Sequence, residues 1–133
     1  MRKAFKAAAM LLLMWFAGPS AMAAEPLHYT QQAFDKFAAE GTPMIVFVHA
    51  AWCPVCAVQK PVVDNFAKSD AYRNVQVLVV DFDTQKKVLK AFKVARQSTL
   101  IAFHGKKEVG RLVGTTQKDL IEVLFQRAEG KDS

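Results

Sequence analysis

Two short apolar runs limit how this chain can fold. Met44-Ile45-Val46-Phe47-Val48 is unbroken, and Val75-Gln76-Val77-Leu78-Val79-Val80 is broken by one polar residue. A strand with one wet face alternates apolar and polar residues. These runs do not, so both read as interior strands covered on both faces. Covering a sheet on both sides takes helices, and the rest of the chain offers them. Thr30–Glu40 places Phe34, Phe37 and Ala38 at helical spacing and stops at Gly41-Thr42-Pro43. Pro54 to about Lys68 reads as a second helix. Asp81–Thr84 leads into a third near Gln85–Phe92, with Val88, Leu89 and Phe92 turned inward. Leu27-His28-Tyr29 reads as a small strand. Thr99–Phe103 and Glu108–Val113 read as strands joined by a turn at His104-Gly105-Lys106-Lys107. Thr116-Gln117-Lys118-Asp119 has the pattern of a capping box opening a last helix, whose apolar stripe is Leu120, Ile121, Leu124 and Phe125. The expected class is α/β, a mixed sheet with helices on both faces.

The 133 residues, 52% hydrophobic, suit one domain and are too apolar for a disordered chain. No run reaches the roughly 18 apolar residues of a membrane span. The first 23 residues read as a cleavable secretory signal. Arg2, Lys3 and Lys6 make a basic start, Ala7–Ala17 an apolar run, and Ala21-Met22-Ala23 a cleavage site. The expected domain is then 24–133 and the expected location the periplasm. The residue immediately after the cleavage site is Ala24 and not a cysteine, which speaks against a lipoprotein. The signal carries three of the six net positive charges. The remaining +3 gives little support to nucleic-acid binding, and no nucleic-acid partner is expected. Lys86, Lys87, Lys90, Lys93 and Arg96 form a basic edge that reads as a solvated face.

The only two cysteines lie together as Cys53-Pro54-Val55-Cys56. So short a loop constrains little chain if bridged, so the pair suits chemistry better than stapling. If the helix begins after Cys53, Pro54 fills its first position, where a missing N–H costs nothing. Cys53 then caps the helix, its sulfur facing free backbone N–H groups and the positive end of the dipole, which favours the thiolate. Cys56 lies three residues on, on the same face. Cys53 is the expected nucleophile and Cys56 the resolving thiol. Trp52 offers a flat apolar surface for a substrate backbone. His49, four residues before Cys53, is a candidate modulator of the cysteine pKa; the plain alternative is a packed strand-end residue.

The stretch Ala50-Ala51-Trp52-Cys53-Pro54-Val55-Cys56 resembles the active-site loop of thioredoxin-family proteins. The likeness extends to Pro61 inside the following helix, to Asp83, to Thr99–Phe103 and to Val113-Gly114, and covers about residues 27–128. It implies a thioredoxin-like three-layer sandwich and thiol–disulfide exchange with cysteine-containing proteins. It also implies a membrane thiol reductase or oxidase as possible partner, a monomer, and no cofactor. Trp52, Pro54, Ser98 and Thr99 become the expected substrate-facing residues. Three positions depart from the family pattern. Ser98 stands where the family has a cis-proline, Phe47 where it has a buried acid, and Pro-Val fills the space between the cysteines without a histidine. A cis bond to a non-proline costs roughly 3 kcal/mol, and the sequence leaves the Gln97–Ser98 bond open between cis and trans. The missing acid removes a base that would help deprotonate Cys56. Reduction is favoured over oxidation as the direction. Two alternatives remain: soft-metal binding by the thiolates with a histidine (His28, His49 or His104), and a non-catalytic interaction module.

Overall fold

The computed structural model describes Gly18 and residues 24–131. The expected signal segment, apart from Gly18, lies outside them. Five strands and four helices follow in the order β1 (Leu27–His28), α1 (Gln31–Ala39), β2 (Pro43–His49), α2 (Pro54–Lys68), β3 (Gln76–Asp81), α3 (Lys86–Ala91), β4 (Thr99–His104), β5 (Lys107–Val113) and α4 (Lys118–Ala128). A short 3-10 turn, Asp70–Tyr72, links α2 to β3. The sheet order is β1-β3-β2-β4-β5. β1, β3 and β2 run parallel, while β4 is antiparallel to β2 and β5 to β4.

The unbroken run of β2 now has its reason. Ile45 and Phe47 point into one core with Val77, Leu100 and Ala102, covered by Val63, Phe66 and Ala67 of α2 and Ile121, Leu124 and Phe125 of α4. Met44, Val46 and Val48 point the other way. They join Leu78, Val80, Ile101 and Phe103 under Ala38 of α1 and Leu89 of α3. Successive side chains go to opposite faces, and both faces are dry.

Phe125 is fully buried, with ring centroids 5.3 Å from Phe66 and 5.4 Å from Tyr72. We expect Phe125→Ala to lower the unfolding free energy by about 3–5 kcal/mol, read as a shift in denaturant midpoint with unchanged slope.

The ends of two helices differ from expectation. α4 starts at Lys118 with Gln117 as its cap, and no side chain caps it. The Thr116 capping box does not form: the cap falls one residue later, and Thr115 Oγ1 accepts the Gln117 amide at 3.3 Å. At the end of α3 no glycine appears. Lys93 itself takes φ 55°, and Arg111 of β5 reaches across to donate to the carbonyls of Phe92 (2.8 Å) and Lys93 (3.2 Å). An arginine on a neighbouring strand thus satisfies carbonyls that the helix leaves open.

Candidate active site

β2 ends at His49, and the chain turns through Ala50-Ala51-Trp52 into α2. Cys53 is the N-cap of α2 and Pro54 its first residue. The Cys56 amide donates to Cys53 Sγ at 3.1 Å, the bond a capping side chain makes with the first turn. Both residues are buried, but Cys53 lies under a thinner layer of protein than Cys56. Both are free thiols. The Cys56 thiol points toward the Val48 carbonyl at 4.0 Å, the outer limit for a sulfur hydrogen bond.

The electrostatics separate the two sulfurs. Burial pushes the Cys53 thiol up, but donors outweigh it: the Cys56 thiol and amide, the Gln97 side chain and the Val55 amide hold its pKa below the ordinary thiol value. Cys56 is pushed up to about 11, first by burial and then by its hydrogen bond to Cys53 and the charge there. The backbones of Ala50 and Ser98 pull the other way without overcoming the burial. The surroundings favour the thiolate at Cys53 and the thiol at Cys56.

The loop before β4 closes the site. Among the described residues no peptide bond is cis, so Gln97–Ser98 is trans. Ser98 takes φ 59°, the left-handed region, at a cost of order 1–3 kcal/mol for a non-glycine residue. Its amide donates to Val48 O at 2.9 Å, and its carbonyl accepts from Gly114 at 3.0 Å. Thr99 is buried, and its hydroxyl donates to the Arg96 carbonyl at 2.7 Å, so that hydroxyl is spent locally.

Trp52 is 58% exposed. Its indole N–H donates to both carboxylate oxygens of Asp83, at 3.0 and 3.1 Å, and its ring meets Phe82 edge-on. That anchor leaves the indole face open beside the cysteines. Pro54 is exposed at the helix start and Val113 is half exposed on β5.

His49 lies in different surroundings. It lines a cavity of about 280 Å³ with His28, Phe47, Lys60 and Asp64. Burial and then Lys60 lower its pKa against the pull of Asp81 and Asp64, so it is neutral at pH 7. It is absent from the groups that shift either cysteine, and an uncharged imidazole supplies no field to favour a thiolate. Nor do the histidines complete a metal site. His104 Nδ1 is 2.8 Å from the Ala128 carbonyl, and His28 shares the cavity with His49. Among the described residues no three His, Cys, Asp or Glu side chains converge. Two sulfurs fall short of the four ligands a structural zinc takes.

Sequence pattern alone did not single out Gln97 or Gln59. Gln59 is fully buried beside Cys56, Val63, Phe66 and Ala67, on the inward face of α2. A polar residue on that apolar stripe was the available signal. For Gln97 there was none.

The sequence profile of the thioredoxin family, described simply as "Thioredoxin", matches residues 25–126. The chain belongs to the thioredoxin family. Its relatives include the thioredoxin of Chlamydia trachomatis, 33% identical over 98 residues, 74% of this chain and 93% of that protein. The thioredoxin of Chlamydia pneumoniae is 29% identical over the same shares. Among solved structures, Trxlp from Edwardsiella tarda superposes with a TM-score of 0.73 at 37% identity, covering 76% of this chain and 98% of that one. A mutant thioredoxin from Halobacterium salinarum, 22% identical, reaches 0.72 over 84% of this chain and 96% of that one, and speaks for the fold alone. Thioredoxins are thiol–disulfide oxidoreductases acting on cysteine-containing proteins, and this member carries the Cys53–Cys56 pair at the CxxC spacing.

Proposed function

We propose that this thioredoxin-family protein is an exported reductant of protein disulfides. It works as a monomer in the periplasm and is recharged by a membrane thiol reductase. The observation that carries the direction is the company of Cys53: its thiolate is held by thiol and amide donors, with no cation among them. Stabilising the thiolate stabilises the dithiol form and makes a stronger oxidant, and neutral donors do this less than a charged histidine would. The N-terminal basic, apolar and Ala-x-Ala segments support export.

The reaction follows from the two sulfurs. Cys53 thiolate attacks one sulfur of a client disulfide; the client S–S bond breaks, a mixed disulfide forms, and the released client thiolate takes up a proton. Cys56 then loses its proton and attacks Cys53 Sγ. The mixed disulfide breaks, Cys53–Cys56 closes, and the second client thiolate leaves. Two electrons and two protons pass to the client. The membrane dithiol returns them.

Cys56→Ala, expressed with its own N-terminal segment, should accumulate client mixed disulfides in the periplasmic fraction, each released by dithiothreitol. The wild-type potential, equilibrated against glutathione, should lie nearer about −270 mV than about −120 mV. No adducts from folded protein would remove the client-exchange reading. A potential above about −180 mV would reverse the direction.

A further inference from the structure

Gln59 sits on α2 three residues beyond Cys56, is 0% exposed, and spends its amide nitrogen on two distant carbonyls. Nε2 donates to Ser98 O at 3.1 Å and to Thr115 O at 2.8 Å, partners 39 and 56 residues away in the chain. Its own oxygen is buried without a hydrogen-bond partner. An apolar side chain would fill this stripe without that penalty. What it could not do is hold two carbonyls from two separate loops.

Those loops matter. The Gln97–Ser98 loop offers donors to both sulfurs, and the Gly114–Thr115 loop is bonded to it through Gly114 N–H to Ser98 O at 3.0 Å. A proline ring fixes its own φ. Serine has no such ring, and Ser98 sits at φ 59°, a conformation that surrounding bonds must maintain. Its carbonyl is gripped twice, by Gly114 and by Gln59.

We propose that Gln59 is a positioning residue of the exchange site: its buried amide fastens the Ser98 and Thr115 carbonyls to the active-site helix. It thereby sets the spacing and orientation of the two loop edges that a client peptide meets beside Cys53. This rests on the exchange reading above. It adds a determinant of client binding that lies beneath the surface and touches no substrate.

The test is Gln59→Met, which keeps length and helix propensity and drops both bonds. Insulin serves as disulfide probe, with dithiothreitol as electron donor. The expected result is a folded protein whose KM for insulin rises about tenfold, equivalent to about 1.4 kcal/mol, while kcat changes less than about threefold. The Cys53 thiolate titration, read by ultraviolet absorbance, should also move. A folded variant with wild-type KM and titration would overturn the proposal. Should Gln59→Met fail to fold, Cys56→Ala, which keeps Gln59 and holds the mixed disulfide, decides: the Gln59 side-chain amide resonances should be protected from solvent exchange and shift when insulin is captured by Cys53. Rapidly exchanging, unshifted resonances would overturn it equally. Wild-type protein inactive on insulin would remove the exchange reading itself, whereas an active wild type beside an indifferent Gln59→Met removes only the clamp.

Discussion

Replacing Cys53 with serine will lower the rate of client disulfide reduction by more than about a thousandfold, the scale on which removal of a nucleophile acts in other enzymes. A hydroxyl has no accessible anion at neutral pH, whereas the thiol it replaces has its pKa pulled down by the Cys56 thiol and amide, the Gln97 side chain and the Val55 amide. The fold should survive. Serine is a good N-cap and can accept the Cys56 amide as Cys53 Sγ does at 3.1 Å. The measurement is reduction of insulin alongside a thermal melt. Loss of activity with an unchanged melt places Cys53 at the chemistry; retained activity would move the nucleophile elsewhere.

The second large effect is one of pH. Cys56 is pushed up to about 11 by burial, by its hydrogen bond to Cys53 and by the charge there. Capture of a client on Cys53 removes that charge and alters the hydrogen bond there, while burial, the largest cause, still pushes the Cys56 thiol up. The resolving step needs its thiolate. We expect that step to accelerate about tenfold per pH unit from about pH 7 to about pH 9, because each unit multiplies the thiolate fraction tenfold while the thiol still predominates. A single-turnover assay that follows release of the second thiol from the mixed disulfide reads it. The initial attack by Cys53 should level off at lower pH, since its own pKa is depressed. A resolving rate flat below pH 9 would reveal a base that reaches Cys56. Phe47 is not one: it is a buried phenyl in the same apolar cluster as both cysteines.

The sequence was legible where structure is local and periodic. The apolar runs announced the interior strands, and Pro54 announced the first turn of α2 with Cys53 as its cap. Bonds between distant residues left no such pattern. The grip of Gln59 on Ser98 and Thr115, and of Arg111 on the end of α3, depends on the finished fold. Left-handed residues usually advertise themselves as glycine, but Lys93 and Ser98 adopt that conformation without one. The Thr116 box had the right residues at the right spacing. The helix instead begins one residue later, with Gln117 at the cap and no side chain bonding its first turn. His49 shows the same limit for charge: proximity in sequence to Cys53 did not reveal that burial and Lys60 would lower its pKa.

The strand order β1-β3-β2-β4-β5 carries a consequence for how the molecule comes into being. β2, which leads into the cysteines, lies at the middle of the sheet, yet both of its neighbours are made after it. While the chain grows, β2 has nothing to pair with, and its apolar run and the thiols beyond it are uncovered. Such long-range pairings slow folding. The reactive pair therefore exists in an unprotected form before the selective one, and a nascent chain stalled before β4 would expose thiols lacking the donors of Gln97 and Ser98. The site is completed late, when residues 97–115 pack beside cysteines encoded some forty residues earlier.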